Sequence, residues 1–387
     1  MAGRKRRMVS PAGLPADRII LDRSREYGIV LEGGGARGAF QVGAWRALKE
    51  AGIQIRGISG VSVGALNGAL MCMGDLERAE ALWEHLNPSS VMNANLEPES
   101  FSQAVAELGR VIREGGLDAA PLRSLIHDIV DEEKIRKSDC EFFATTISLT
   151  DRELVKQDVK AMPEGKIEEI LMASAFFPLF KNEALSGKWY TDGGSLDNVP
   201  VGPLMERDYR DIIVIRIYGW GLEREKWMKI PEGTRVYHIA PREDLGGVLE
   251  FDARRIRKNM ALGYLEGCRF LYGLEGRRYY IDAPGSEAYY FDRMMSELEL
   301  LKIYLKSVLD EETLQCLDGY RFYTEQIFPE LARKLRLKES WDYRDLYLAV
   351  LEELAQTARV SRYHVYRDGE LVRAIQKALG RQRGRTF

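Results

Sequence analysis

The 387-residue sequence contains little cysteine and little histidine, and it lacks long apolar segments. Its four cysteines are far apart and form no CxxC pair, which excludes a zinc ribbon and a dense disulfide framework. No apolar run reaches the roughly 18 residues that a transmembrane helix needs. The basic N-terminal run is followed by no apolar segment, which argues against a secretory signal, so we expect a cytoplasmic protein. The cysteines are Cys72, Cys140, Cys268 and Cys316.

The sequence also lacks an excess of either charge. It has 56 Lys and Arg against 59 Asp and Glu, giving a formal net charge of -3, which excludes a general attraction to nucleic acid. Basic runs occur near the two ends, GRKRR and GRQRGR, and they have two interpretations. They either make peripheral contact with an anionic membrane surface or are solvated ends, and we favour solvated ends.

Strand and helix patterns alternate at the start of the folded sequence. A strand at Tyr27 to Leu31 precedes a helix over 37–49, and a second strand near 56–59 precedes a helix over 63–73. This order predicts an α/β fold with a mainly parallel central sheet covered on both faces. Helical periodicity dominates the rest of the chain in two places, about 75–138 and beyond about 246. We therefore predict a disordered leader (1–25), an α/β domain (26–285) with a helical insertion (about 75–138), and a helical C-terminal region (286–387).

A glycine-rich loop, GGGARG, follows the first strand and contains GxGxxG from Gly33 to Gly38. Such a loop before a helix can bind the phosphates of a dinucleotide through its backbone N–H groups. The dinucleotide fingerprint also requires an acidic residue about 20 positions further on. The second apolar run, IQIRGIS from Ile53, ends without one. A dinucleotide-dependent oxidoreductase is therefore a disfavoured alternative.

The second strand leads into the GxSxG pattern Gly60-Val61-Ser62-Val63-Gly64. A nucleophilic serine on a sharp strand-to-helix turn needs glycine neighbours to avoid clashes, and the following helix N-terminus stabilises developing negative charge. We therefore predict Ser62 as a nucleophile on an elbow formed with Gly60 and Gly64.

A serine hydroxyl needs a general base to become an effective nucleophile. His238 follows Ser62 in the chain order of an α/β-hydrolase triad, although an ordinary strand histidine is the favoured interpretation. Asp192 is a better candidate, because it stands where a strand breaks into Gly193-Gly194 and a carboxylate can project from the strand end. The alternative for this DGG sequence is an ordinary turn.

Three features together, GGGARG, GVSVG and DGG, resemble the patatin-like phospholipase family. The motifs ALNG after the elbow, ASAFFPLF from Ala173 and DNVPV from Asp197 are similar to that family as well, and the likeness covers about residues 27–220. It implies a three-layer α/β/α fold, a Ser62-Asp192 catalytic dyad that needs no histidine, and no metal or other cofactor. The glycine loop is then an oxyanion hole formed by the backbone of Gly33, Gly34, Gly35, Arg37 and Gly38.

The resemblance further implies a serine hydrolase that cleaves carboxylic esters of phospholipids, lysophospholipids or another acyl lipid. The non-enzymatic alternative is a catalytically silent lipid- or nucleotide-binding module on the same fold. Val63 follows the serine where the family often has alanine, so the pocket is expected to be narrow. The Arg37 side chain either attracts a lipid phosphate or supports the glycine loop, and we favour support. Phe176 and Phe177 are candidates for an acyl channel or for ordinary core. The motifs do not specify an oligomeric state.

Overall fold

The computed structural model describes residues 13–91, 116–177, 180–181, 183–219, 221–223, 228–308 and 320–383. The chain divides into two compact units, one ending at Leu271 and the other beginning at Tyr272. This division precedes the predicted boundary after residue 285. The predicted helical insertion falls partly on residues 92–115, which lie outside the described residues.

The described part of the first unit contains one eight-stranded sheet, whose strands are β1 (Glu26–Leu31), β2 (Gln54–Val61), β3 (Glu141–Ser148), β4 (Glu153–Asp158), β5 (Ala184–Leu185), β6 (Lys188–Asp192), β7 (Asp211–Ile215) and β8 (Arg235–Ile239). Five neighbouring strands run parallel in the order β3-β2-β1-β7-β8. Strands β4 and β6 pair with β3 in the antiparallel direction, and β5 extends β6. The mainly parallel sheet predicted from the sequence is thus confirmed.

The helices described in this unit are α1 (Ala39–Glu50), α2 (Val63–Cys72), α3 (Leu76–His85), α4 (Ala120–Ile129), α5 (Glu132–Lys137), α6 (Ile167–Ser174), α7 (Gly202–Glu206) and α8 (Ala253–Tyr272). Helices α2 and α6 cover one face of the sheet, where Gly68 of α2 packs on Ile58 and Phe142. The opposite face carries α7 and the apolar cluster that includes Val30 and Leu204. Burial on both faces explains why the central strands read as continuous apolar runs.

Glycines bring α1 and α8 into close contact. A Cβ atom at Gly43 would lie 1.9 Å from the carbonyl oxygen of Met260, and one at Gly263 would lie 1.9 Å from that of Phe40. Any larger residue at either position would push the two helices apart. Helices α1 and α8 can therefore pack this closely only because both positions are glycine.

Part of the predicted disordered leader is folded. Residues 13–25 contain a short 3₁₀ turn (Ala16–Arg18), and the side chains of Leu14 and Leu21 are buried. The backbone N–H of Ile20 also donates to the carbonyl of Leu271 at 2.9 Å. Burial of the two leucines offsets the entropy lost on ordering the segment. The leader prediction is therefore wrong for residues 13–25, and residues 1–12 lie outside the described residues.

The second unit is mainly helical, as predicted for this end of the chain, with a buried core that includes Tyr290, Phe328 and Leu346. Two short parallel strands accompany its helices. No helix in the described ranges of either unit has the length and apolarity needed to cross a bilayer. The elements of this unit are β9 (Tyr280–Asp282), α9 (Glu287–Ser296), α10 (Leu298–Val308), α11 (Tyr320–Phe322), a π-helical turn (Tyr323–Ile327), α12 (Phe328–Lys334), α13 (Tyr343–Thr357), β10 (Val365–Arg367) and α14 (Asp368–Arg383).

Candidate active site

Ser62 occupies a strained turn between β2 and α2. Its backbone has φ 56° and ψ -130°, a conformation that residues with a side chain rarely adopt. The two predicted glycines make this turn sterically feasible. A Cβ atom at Gly60 would lie 2.4 Å from the carbonyl oxygen of Gly64, and one at Gly64 would lie 2.2 Å from that of Leu31. The chain therefore forms the sharp elbow expected of a GxSxG sequence.

A buried serine on α6 holds this turn in place. The backbone N–H of Ser62 donates to the Ser174 hydroxyl at 3.0 Å, and that hydroxyl donates to the carbonyl of Thr145 at 2.7 Å. Ser174 is fully buried, so both hydrogen bonds are protected from water. Ser174 thus connects the elbow to β3 and fixes the direction in which the Ser62 side chain leaves the backbone.

Asp192 lies beside the elbow because of how β6 joins the sheet. Strand β2 ends at Val61, which pairs with Thr145 on β3. The next residue of β3, Thr146, pairs with Asp192. Strand β4 pairs with the opposite edge of β3 over this stretch. Strand β6 therefore pairs with the same edge of β3 as β2 does, just beyond the end of β2. The Asp192 carboxylate therefore projects from a strand end directly beyond the turn that carries Ser62.

The Asp192 carboxylate is buried and carries an unusually high pKa. Only 7% of the residue is exposed, and its Oδ1 accepts a hydrogen bond from the Gly194 N–H at 2.8 Å. Burial raises the pKa of Asp192 to about 6, against the lowering effect of hydrogen bonds from the Ser62 side chain and the Gly194 backbone. Ser62 and Asp192 line the same cavity, so the structure brings the two predicted catalytic residues together.

The glycines after Asp192 permit this close approach. A Cβ atom at Gly193 would lie 2.6 Å from the carbonyl oxygen of Thr145, and one at Gly194 would lie 2.5 Å from the Asn198 side chain. The DGG sequence is therefore more than a surface turn, since both glycines pack where a side chain would clash.

The glycine loop presents free backbone donors beside Ser62. Among the described residues, the N–H groups of Gly34 and Gly35 have no hydrogen-bond partner. The N–H of Gly33 donates to the carbonyl of Asn198 at 3.4 Å, and that of Arg37 to the carbonyl of Gly34 at 3.3 Å. Free N–H groups near a reacting carbonyl are the feature that stabilises an oxyanion.

The five residues predicted for the oxyanion hole do not all reach the site. Gly33, Gly34 and Gly35 line the same cavity as Ser62 and Asp192, whereas Arg37 and Gly38 are absent from its described lining. Gly38 serves packing, because a Cβ atom there would lie 2.7 Å from the Val63 side chain and 2.9 Å from Trp83. The part of the predicted oxyanion hole formed by Arg37 and Gly38 therefore stays a prediction.

The Arg37 side chain supports the loop. Its guanidinium donates to the carbonyl of Gly246 at 2.7 Å and also to the carbonyls of Ile217 and Tyr218. These contacts direct its charge toward backbone oxygens of the neighbouring segments. The structure agrees with the supporting role that the sequence analysis favoured over attraction of a lipid phosphate.

A buried carboxylate that the motifs did not identify anchors the loops around the site. Glu32 is fully buried and accepts the backbone N–H groups of Ile217 and Tyr218 at 2.6 and 2.9 Å. It also forms an ion pair with Arg216 at 3.2 Å and accepts a hydrogen bond from the Asn198 side chain at 3.2 Å. Glu32 directly follows the first strand, and this position at the strand end was the one feature of the sequence that could have identified it.

The site opens into a mostly apolar cavity of about 390 Å³. This volume lies in the range of small-molecule sites, about 300–1,000 Å³. Phe177 lines the cavity, whereas Phe176 packs against Phe180 in the core. Of the two phenylalanines considered for an acyl channel, Phe177 is the one that lines the cavity.

His238 and two of the described cysteines do not compete with this pair. His238 lies on β8, which β1 and β7 separate from β2, so it is about 14 Å from the elbow at about 4.8 Å per strand. The triad that used His238 is therefore not assembled. Burial raises the pKa of the Cys72 and Cys268 thiols to about 11 and about 12, which makes them poor nucleophiles at neutral pH.

The parallel sheet, the strained serine elbow and the adjacent carboxylate define an α/β protein with a site of the serine-hydrolase type. Residues 29–205 match the model of the patatin-like phospholipase family, which confirms the resemblance seen in the sequence motifs. This part of the chain is therefore similar to the patatin-like phospholipase family.

The chain is also similar to short segments of longer curated proteins. The lysophospholipase NTE1 of Cryptococcus neoformans var. neoformans is 28% identical over 195 residues, 50% of this chain and 11% of that protein. The neuropathy target esterase sws of Drosophila persimilis is 60% identical over 45 residues, 12% of this chain and 3% of that protein. The chain therefore spans about a tenth or less of the length of these curated relatives.

Among solved structures, VipD from Legionella pneumophila aligns with 92% of this chain and 88% of its own at 13% identity and a TM-score of 0.39. At this TM-score the likeness adds nothing to the sheet topology described above.

Proposed function

We propose that the chain is a serine acyl hydrolase that cleaves carboxylic ester bonds of phospholipids or lysophospholipids through a Ser62-Asp192 dyad. The observation that carries the proposal is the juxtaposition of Ser62, the buried Asp192 carboxylate and the free N–H groups of Gly34 and Gly35 in one apolar cavity. The family match and the lysophospholipase relative support the same class of reaction.

In the first half of the reaction, the Ser62 hydroxyl attacks the ester carbonyl carbon while its proton passes to the Asp192 carboxylate. The carbonyl oxygen becomes an oxyanion, and the N–H groups of Gly34 and Gly35 donate hydrogen bonds to it. Collapse of this intermediate breaks the ester bond. The departing alcohol takes the proton from Asp192, and the acyl group remains on Ser62.

In the second half, water attacks the acyl-enzyme and gives its proton to Asp192. The second oxyanion collapses by breaking the bond to the Ser62 oxygen, which takes the proton back from Asp192. The fatty acid is released and the dyad returns to its starting state. The apolar cavity limits access of bulk water, which strengthens the hydrogen bonds to the oxyanion.

Covalent labelling tests the nucleophile directly. We expect a fluorophosphonate probe to modify Ser62 and no other residue, as mapped by mass spectrometry, because the elbow exposes an activated hydroxyl only there. The Ser62→Ala variant should remain folded by circular dichroism and take up no label. Labelling at another serine, or undiminished labelling of Ser62→Ala, would contradict the proposal.

The pH profile tests the base. Asp192 must be ionised to accept the proton, and burial raises its pKa to about 6. We therefore expect kcat/KM for a short-chain p-nitrophenyl ester to rise with pH around a midpoint of about 6 and to level off above it. A midpoint near the ordinary aspartate pKa of about 3.9 would argue against this buried base.

A further inference from the structure

We propose that the cavity beside Ser62 holds a single acyl chain and selects its length, with Leu70 and Ile129 as the floor and about eight to ten carbons as the preferred chain. This inference rests on the proposed function and adds to it the acyl group that the site accepts.

The cavity runs along one face of α2. Ser62, Leu66 and Leu70 all line it, and they are spaced four residues apart, which places them in a row on that face. At about 1.5 Å of rise per residue, Leu70 lies about 12 Å beyond Ser62. An extended chain advances about 1.2 Å per bond, so about ten bonds reach from the ester to Leu70. Because helical side chains lean toward the N-terminus, the usable length is about one or two carbons shorter.

Helix α4 also contributes to the wall of the cavity, through Leu122, Leu125 and Ile129. Its last residue, Ile129, lines the cavity and is 2% exposed, while Leu70 is fully buried. The Arg78 guanidinium, in the first turns of α3 just after the end of α2, bonds to the carbonyl of Asp128. The end of α4 is therefore bonded to the start of α3, the helix that follows α2, and Leu70 and Ile129 both line the cavity.

Among the described residues, the wall of the cavity around Asn67 offers the chain no polar partner. Asn67 lines it, but its side-chain nitrogen donates to the carbonyl of Gly38 at 3.0 Å and to the Gln41 side chain at 2.8 Å. Its side-chain oxygen accepts the Trp83 indole N–H at 2.9 Å. Since the polar atoms of Asn67 and Trp83 are satisfied by each other and by neighbours, this stretch presents an apolar wall suited to an alkyl chain.

The cavity is large enough for one acyl chain. Its volume of about 390 Å³ is well above the roughly 150 Å³ of an apolar cavity that binds benzene, so an alkyl chain of about ten carbons with its ester fits.

The test is a chain-length profile. We expect kcat/KM on p-nitrophenyl esters with chains of about four to about sixteen carbons to rise by up to about fourfold per methylene, peak near eight to ten carbons, and then fall. Leu70→Ala should move the peak to longer chains by about two carbons, because it removes the side chain that stops the terminal methyl. Ile129→Phe should move the peak to shorter chains, because it adds side-chain volume at the floor, whereas Leu70→Ala removes side-chain volume there.

Met71→Ala is the matched control, because Met71 is a buried neighbour on the same helix that is absent from the described lining of the cavity. It should leave the peak unchanged. An unchanged peak in both Leu70→Ala and Ile129→Phe, with activity still dependent on Ser62, would overturn the length selection and leave the proposed function intact. Full activity in Ser62→Ala would instead overturn the proposed function.

Discussion

Replacing Asp192 with asparagine is expected to lower kcat for ester hydrolysis by about a thousand-fold or more. A positioned general base contributes about 10²–10⁴-fold, and the amide of asparagine cannot accept the Ser62 proton. The change is otherwise conservative, because the amide oxygen can still accept the hydrogen bond that the Gly194 N–H donates to Asp192. Steady-state kinetics on a p-nitrophenyl ester of about eight carbons measures the loss.

The same substitution should not lower the melting temperature. The folded-state pKa of Asp192, about 6, lies above its ordinary value of 3.8, so folding opposes ionisation of this group. The free-energy cost of burying the ionised carboxylate grows as the pH rises above the unfolded pKa. It reaches its full value, on the order of 3 kcal/mol, above about pH 6. Asparagine carries no charge, so its burial avoids this cost. Loss of activity without loss of stability would indicate that Asp192 is retained for chemistry.

Asp211→Asn is the matched control for removal of a buried carboxylate. Asp211 is 5% exposed and begins β7 at the amino end of the parallel strands, where it forms ion pairs with Arg25 and Arg235. Its substitution should lower stability through the lost ion pairs and leave kcat unchanged. If Asp192→Asn kept more than about a tenth of wild-type activity, the dyad would be wrong.

The elbow and the central strands could be predicted because their signals are local. Ser62 lies between two glycines at a strand end, and a Cβ atom at Gly60 would clash within the turn itself, with the carbonyl oxygen of Gly64. The first two strand-helix units were likewise visible as apolar runs followed by helical periodicity. In such segments the sequence pattern and the tertiary structure impose the same requirement.

The supporting residues could not be predicted, because their roles depend on contacts between distant segments. Ser174 looks like an ordinary helical serine until α6 brings it to the Ser62 N–H, 112 positions away. Glu32 and Asn198 are 166 positions apart and meet only when β1 and the segment after β6 converge. No periodicity or motif spacing encodes such a pair.

The different roles of the glycines in this loop could not be predicted from the sequence either. The sequence treats Gly33 to Gly38 as one loop, yet Gly34 and Gly35 offer free N–H groups while Gly38 makes room for Val63 and Trp83. The N–H groups of Gly34 and Gly35 can therefore bind an anion, whereas Gly38 allows close packing. The dinucleotide interpretation and the oxyanion interpretation share the loop, and the neighbouring Ser62 and Asp192 favour the second.

Substitution of Gly35 by alanine is expected to lower kcat by about a hundred-fold or more, the loss typical of removing one oxyanion donor. Gly35 has φ +54°, and a Cβ atom there would lie 2.1 Å from the carbonyl oxygen of Val248. That carbonyl also accepts the Ala36 N–H at 2.8 Å, so the clash would displace the loop that carries the two free donors. The ester should still enter the cavity, and KM should change much less than kcat.

Gly74→Ala separates this effect from backbone strain. Gly74 has φ +72°, and a Cβ atom there would meet no other atom within 4 Å. Alanine at this position therefore carries the positive-φ cost, about 1–2 kcal/mol, without a clash. Both variants should lose stability, but only Gly35→Ala should lose kcat. Equal kcat in the two variants would mean that the Gly35 N–H does not stabilise the oxyanion, and the donors would have to be sought elsewhere around Ser62.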